Sequence, residues 1–391
     1  MYLSGQAEHS AGQFISEKAI RRRSSALAEP PTVAKPAIMT LERVRTSWWD
    51  ILFRDKRLTV VKKFASVLGI TFALLVPAGA KGEEPAVVSD LQITLLSTML
   101  TEFRGVGEWG FSAIIEADEH TVLFDTGARP DTVLKNAGEL GIDLSTVDTV
   151  VLSHNHWDHT GGLVTLRRTL KAKNASAMRH AHVGDGIFLP RILDAEAVDL
   201  LPPMPKEFVV SVADVRAGYE ALGGHFIVHK KPHELHPGIW ITGPVPRVHP
   251  ERNWTPFMRI QQNDSTTEDM IPEDQALVIN TSEGLVVIAG CGHAGIVNTM
   301  EYARSIITGV SIHAVLGGFH LMSATDESLK WTGATMREFG VEQVLGAHCT
   351  GINAVTVLRD SGNYDLKTAV VGTVGSTFTL GKGIQRGLLN R

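Results

Sequence analysis

Residues Val147–Leu163 read VDTVVLSHNHWDHTGGL. The first part, through Leu152, is a β-branched apolar run of the kind that forms a strand buried on both faces. The second sets His154, His156, Asp158 and His159 within six positions. Crowded imidazoles gain nothing from one another, so the cluster needs a common partner. Imidazole nitrogen with carboxylate oxygen is a donor set for zinc and similar ions. In an extended segment, residues two apart point the same way, so His154 and His156 can share one ion. Asp158 and His159, just past a turn, can address a second. Two ions about 3.5–4 Å apart can hold a bridging hydroxide that needs no Ser or Cys nucleophile. Thr160–Gly161–Gly162 open the next helix, where backbone N–H groups could receive an anionic substrate.

Working outward, the same arrangement recurs. GLVVIAGCGH ends at His293, IHAVLGGFH at His320 and VEQVLGAH at His348, as VDTVVLSH ends at His154. Each run reads as a buried strand passing into a loop and then a helix, such as GIVNTMEYARSII (295–307) or INAVTVLRD (352–360). Upstream, LQITLLST, FSAIIEA and TVLFDT read as consecutive strands. DTVLKNAGELG (131–141) has helical spacing, with Asp131 as N-cap and Gly138 or Gly141 near its end. Strands alternating with helices predict a layered α/β fold, in which ligands collect beyond the carboxyl ends of strands. Four histidines at those ends are therefore expected to meet. His225, His229, His233, His236 and His249 lie in polar, loop-like sequence and read as solvated; His9, His120 and His313 carry no signal.

Composition sets outer limits. The chain has 391 residues, 43% hydrophobic and 20% charged, with a net charge of −5. That supports a sizeable core and gives no basic footprint for nucleic acid. Two cysteines, Cys291 and Cys349, make no disulfide framework, though one bridge between them is conceivable. Near the N-terminus, Lys56, Arg57, Lys62 and Lys63 precede the uncharged FASVLGITFALLV (64–76), and Ala78 and Ala80 form an A-x-A site. This is the order of a secretory signal, and the apolar run is short for a membrane span; a membrane-anchoring or core helix is the alternative. Residues 1–55 then read as an extension or a miscalled start, with Met39 or a codon near residue 56 as the true one, 56–80 as the signal and 81–90 as a linker. Such a protein would be periplasmic or secreted, without stable membrane insertion after cleavage, and otherwise cytoplasmic; N-terminal sequencing of the mature chain checks this.

H-x-H-x-D-H after an apolar strand, with FDTG (124–127) upstream, resembles the metallo-β-lactamase superfamily. LFDTG, VVLSHNHWDHTGGL, EDQALVI, GCGHAGIVN, GGFHL and AHCTG follow the order of its dihydropteroate-synthase-like branch, related to archaeal pterin and methanopterin biosynthetic proteins. The resemblance covers residues 91–391 and implies an α/β fold of αββα-sandwich type, with 174–255 as an insertion over the site. It implies zinc, as one or two ions, with iron or manganese as alternatives. The metal set is His154, His156, Asp158, His159, His293, His320 and Cys291, with Asp125 orienting the histidine loop by hydrogen bonds. Asp158 and His348 are the catalytic candidates, and His182, Arg247 and Thr350 the substrate-binding ones. Two departures stand out: Cys291 occupies the place of a bridging aspartate, as either a soft ligand or a small buried residue, and His293 is left to replace a histidine missing near PEDQALVI.

The expected function is a metal-dependent hydrolase using a metal-bound hydroxide on a small ester, lactone, amide or phosphoester. One alternative is a transferase joining a pterin to an aminobenzoate-type acceptor. Another is a non-catalytic metal- or ligand-binding protein.

Overall fold

The computed structural model describes residues 85–194, 212–262 and 265–389, all within the unit Lys81–Arg391. The first half of that unit builds one sheet. β1 (Leu91–Ser97), β2 (Ser112–Ala117) and β3 (His120–Phe124) form an antiparallel meander. Helix α1 (Thr132–Leu140) follows, ending on Gly141 in the left-handed conformation that a helix C-terminus favours. The chain then enters β4 (Thr149–Leu152), parallel to β3. Helices α2 (Trp157–Thr160) and α3 (Leu163–Lys171) lead to β5 (His180–Gly184). After β6 (Arg191–Leu193) and α4 (Val212–Ala221) comes β7 (His225–His229), so β4, β5 and β7 are parallel neighbours.

The second half builds the facing sheet. β8 (His233–His236) and β9 (Ile239–Ile241) start it, while β10 (Met258–Gln262) and β11 (Ser265–Glu268) join β6 in a small three-stranded sheet. β12 (Ala276–Thr281) and β13 (Gly284–Ala289) form a hairpin. Then α5 (Ile296–Ile306), β14 (Ile312–Gly317), α6 (Asp326–Glu338), β15 (Gln343–Gly346), α7 (Ile352–Ser361) and β16 (Ala369–Val371) alternate. This places β13 to β16 side by side in parallel. β17 (Thr377–Thr379) and β18 (Gly383–Gln385) return to the first sheet beside β1.

Period-two alternation with apolar residues on both parities decides the layering. Leu91, Ile93 and Leu95 of β1 meet Leu277, Ile279, Val286 and Ile288 of β12 and β13 in one core between the sheets. The opposite parities, such as Leu123 and Val150, pack under α1, α3 and α4. Leu285, Val287 and Val315 pack under α5, α6 and α7. Three cores and four layers make an αββα sandwich.

Two boundaries differ from expectation. Segment 174–255 is no separate insertion, because β5 and β7 belong to the first sheet and β8 and β9 to the second; their short, His-rich strands lack the apolar runs that marked the others. Nor is 85–90 merely a linker: Val88 is buried, donates its N–H to the Asn280 carbonyl and bridges to Thr281. The readings of 1–55 and of 56–80 as a signal lie outside the described residues. Among the described residues, no helix is long and apolar enough to cross a membrane.

Candidate metal centre

Parallel strands end on a common side, so the loops after β3, β4, β13, β14 and β15 gather at one edge of the sandwich. These loops carry Asp125, His154 to His159, Cys291 to His293, His320, and His348 with Cys349. Their donor atoms fall into overlapping groups, each lying within 4.8 Å of one another: His154, His156 and His293; Asp158, His159 and His348; His154, His159 and Cys291; Cys291, His293 and His320; and Cys291, His348 and Cys349. Adjacent imidazole rings are 4.2 to 5.0 Å apart between His154 and His159 and between His159 and His348 respectively. Cys291 belongs to three of these groups, with His154 and His159, with His293 and His320, and with His348 and Cys349. His320 joins the group of Cys291 and His293, while His348 joins that of Asp158.

Hydrogen bonds fix which nitrogen each ring presents. Asp125, buried and held at φ 58°, accepts from the Ser153 N–H at Oδ1 and from the Ser153 hydroxyl at Oδ2, both at 2.7 Å. With its proton given to Asp125, Ser153 Oγ accepts from His154 Nδ1 at 2.9 Å. Asp125 Oδ2 accepts from His159 Nδ1 at 2.7 Å as well. One carboxylate thereby sets two tautomers and turns both Nε2 lone pairs toward the cluster, the usual division of labour behind a metal-bound histidine. His293 is oriented by another donor route, since its Nδ1 donates to the Asn253 carbonyl. Close approach explains Gly290: a Cβ there would lie 2.1 Å from Ser153 Oγ and 2.5 Å from Asp125 Oδ2.

The donor set fits a metal ion. His154 Nε2, His293 Nε2 and His320 Nδ1 are buried with no hydrogen-bond partner among the described residues. An unsatisfied buried polar atom costs about 1–3 kcal/mol, and an ion is the group that would satisfy several at once. Burial drives His154 and His293 well below the ordinary imidazole range and His156 down to about 4, so all three are neutral at pH 7. Burial opposes the charge on Asp158, yet His159 and His348 outweigh it and hold the carboxylate ionised. His348 Nε2 lies 3.2 Å from Asp158 Oδ2. Burial alone would lower His348; Cys349 and Asp158 overcome it and push the imidazole up to about 10. Both His320 and His348 have positive φ, 49° and 48°, strain that clusters at functional sites.

Supporting contacts that the sequence did not announce come from distant segments. Arg191 binds Asp269 at 3.0 Å and Glu273 at 2.5 Å, and Glu273 in turn accepts the Asn155 N–H at 3.2 Å, between the first two histidines. Asp274 accepts from Ala294 N at 2.7 Å and steadies the His293 loop. Glu251 accepts from Val297 N and Asn298 N, at 3.1 and 2.8 Å, and so caps α5. Burial pushes the Glu251 carboxyl up to about 7. A raised folded-state pKa contributes stability that is present below the unfolded carboxyl range and lost as pH rises through 7. The melting temperature is therefore expected to fall between about pH 5 and pH 8, and Glu251→Gln to flatten that slope; a shift of this size is worth about 3 kcal/mol. An identical pH slope in the variant would refute the assignment.

Several sequence candidates lie elsewhere. His182, in β5, is buried against His229, with Nδ1 to Nε2 at 2.9 Å and the rings stacked, outside the metal cluster. His229 is thus a paired rather than a solvated residue, and His236 stacks on His120 at 4.1 Å. His249 packs on Trp331. Arg247 donates to the Met270 and Ile271 carbonyls and lies over Trp254, so its guanidinium is turned to the protein rather than to a ligand. Thr350 is fully buried and its hydroxyl is spent on Phe319 N and Gly317 O, each at 3.0 Å; it ties the β14 and β15 loops together and has no free donor for substrate. Gly161 N–H likewise bonds Gly127 O and Trp157 O rather than standing open to an anion. The glycines serve packing, since a Cβ on Gly162 would sit 2.2 Å from Thr126 O.

A cavity of about 910 Å³ borders the cluster at His320, between residues 250–257 and 320–331, with Asn253, Trp254, Phe257, Met322 and Trp331 on its walls. Trp109 stands edge-on to His348 at 5.4 Å.

Comparison with known proteins agrees with this geometry. Residues 110–249 match the model of the metallo-beta-lactamase superfamily. A 7,8-dihydropterin-6-methyl-4-(beta-D-ribofuranosyl)-aminobenzene-5'-phosphate synthase of Methanocaldococcus jannaschii is 27% identical over 274 residues, covering 68% of this chain and 88% of the relative. An uncharacterized protein of the same organism is 28% identical over 269 residues, covering 68% of this chain and 91% of its own. The crystal structure of a metal-dependent hydrolase of the beta-lactamase superfamily superposes with a TM-score of 0.58 at 27% identity, covering 73% of this chain and 98% of that one. With its two facing sheets, its outer helices and its histidine-bearing strand ends, the chain has the fold of the metallo-β-lactamase superfamily and a homologue among dihydropterin-linked synthases.

Proposed function

We propose that the protein is a metal-dependent hydrolase of a small ester, lactone, amide or phosphoester. The observation that carries this reading is the convergence of unpartnered, neutral imidazole nitrogens on a place where Asp158 and His348 form an ionised pair. His154, His156 and His293 would hold one ion; Asp158 and His159 face a second position, with Cys291 within reach of both sets and His348 beside Asp158 as a proton donor. Zinc suits the mixed nitrogen, oxygen and sulfur donors best, with iron or manganese as alternatives. When bound, such an ion supplies a water acidic enough to ionise near neutral pH and a positive charge for the oxygen under attack.

The protein's own groups do the rest. Asp158 Oδ2 can take the proton of the attacking water. His348, protonated at Nε2 beside it, can return a proton to the departing oxygen or nitrogen. Asp125 and Ser153 keep His154 and His159 in a single tautomer throughout. The cavity at His320, walled by Trp254, Phe257 and Trp331, takes the substrate's body. A transferase reading has one observation in its favour: the identity to the dihydropterin-linked synthase runs along 88% of that relative.

The test uses the full chain, stripped with a chelator and reloaded with zinc, iron(II) or manganese(II). The substrates are 4-nitrophenyl acetate, a γ-lactone and bis-4-nitrophenyl phosphate. Hydrolysis of at least one, lost on stripping and restored by a single type of ion, is the expected result. An ion bound stoichiometrically without turnover of any substrate would overturn the hydrolase reading.

A further inference from the structure

Two thiols from different loops meet inside the centre. Cys291 follows β13 and Cys349 follows β15, 58 positions apart, yet their Sγ atoms are 3.1 Å from each other. Both are free and buried. Cys291 Sγ lies 3.1 Å from His159 Nε2, and Cys349 Sγ accepts the His320 N–H at 3.3 Å. The same sulfur of Cys291 belongs to three of the possible ligand groups, and Cys349 shares one of them. A sulfur can give its charge to an ion or its electrons to a second sulfur, but not to both.

We propose that a bound metal ion and a Cys291–Cys349 disulfide are mutually exclusive occupants of this position. The proposal rests on the metal reading above. With the ion in place, Cys291 binds it as a thiolate and Cys349 anchors the His320 loop. With the ion gone, hydrogen peroxide closes the pair. One thiolate sulfur attacks a peroxide oxygen and the O–O bond breaks, giving a sulfenic acid and, after protonation, water. The second thiol then attacks the sulfenic sulfur, the S–S bond forms and a second water leaves. Two thiols are each oxidised by one electron and one peroxide is reduced by two. Closure takes the sulfurs to about 2.05 Å apart, a small step from their present separation. The disulfide removes a ligand shared by three of the groups, so the protein reloads more weakly until a reductant reopens it.

The experiment treats metal-free and zinc-loaded full-length protein with hydrogen peroxide, then alkylates remaining thiols in denaturant and measures intact mass. Metal-free protein should lose both alkylation sites and the mass of two hydrogens. It should then bind zinc at least about tenfold more weakly, and dithiothreitol should restore uptake. Zinc-loaded protein should keep both thiols. With cobalt(II) in place of zinc, a sulfur-to-cobalt absorption band should be lost in Cys291→Ser and kept in Cys349→Ser. Zinc binding normally while both forms oxidise alike would overturn the exclusivity alone, as would thiols that stay free in both. Reduced protein that takes up no zinc would overturn the metal reading and this proposal with it.

Discussion

Asp158→Ala is expected to lower the metal content of the purified protein by one ion per chain and to reduce hydrolysis by about 10²–10⁴-fold, the range a positioned acid–base group supplies. The argument starts from what surrounds the carboxylate. Asp158 is almost fully buried, and the partners that keep it ionised are His348 Nε2 at 3.2 Å and His159 Nε2 at 3.8 Å. Truncation takes away a ligand atom from one of the two candidate positions. It also removes one of the two groups that hold the His348 proton, Cys349 being the other, so the imidazole's pKa falls and the acid for the leaving group is held less firmly. His154, His156 and His293 do not depend on Asp158 for their tautomers, so an ion bound by them should remain. Elemental analysis beside the wild type checks this, with thermal melting of the metal-free proteins as a control for folding. An unchanged metal content would place Asp158 outside the coordination shell.

What the sequence revealed follows from how local each interaction is. His154, His156, Asp158 and His159 were legible because one turn of chain carries all four. The meeting of His293, His320 and His348 was legible for a topological reason: parallel strands in one layered fold end on the same side. Asp125 belongs to the same class, since the strand that carries it lies beside the strand that carries His154. Contacts made across large separations were not legible. Asn253 orients His293 through a backbone carbonyl, which has no residue signature. His182 and Arg247 have the chemistry of ligand-binding side chains, but spacing could not say that one would pair with His229 and the other with main-chain carbonyls. Segment 174–255 misled for the opposite reason, because its strands are short and poor in apolar residues, and His182 of β5 and His229 of β7 pair with each other rather than with solvent.

Arg191→Met should be among the most destabilising substitutions in the molecule, at about 3–5 kcal/mol, the usual cost of leaving a buried charge without its partner. Its side chain is 7% exposed, as against 3% for Asp269 and 0% for Glu273, the two carboxylates it binds. Nη1 adds hydrogen bonds to the carbonyls of Gly186, Ile187 and Leu189, so the guanidinium is spent on the protein. Burial already pushes Glu273 above the usual carboxylate range, and Arg191 restrains that rise. Without the arginine the rise is larger. A carboxyl with a raised folded-state pKa gives stability at low pH that disappears as pH climbs through that pKa. The deficit of the variant relative to wild type should therefore be smallest in acid and widen toward pH 8, which denaturant melts at several pH values measure directly. A deficit independent of pH would mean that lost packing, not unpaired charge, sets the cost. The effect should reach the metal as well. Glu273 holds the backbone of Asn155 between His154 and His156, so a loosened Glu273 is expected to weaken metal affinity by about 10–100-fold, although Arg191 touches none of the proposed ligands.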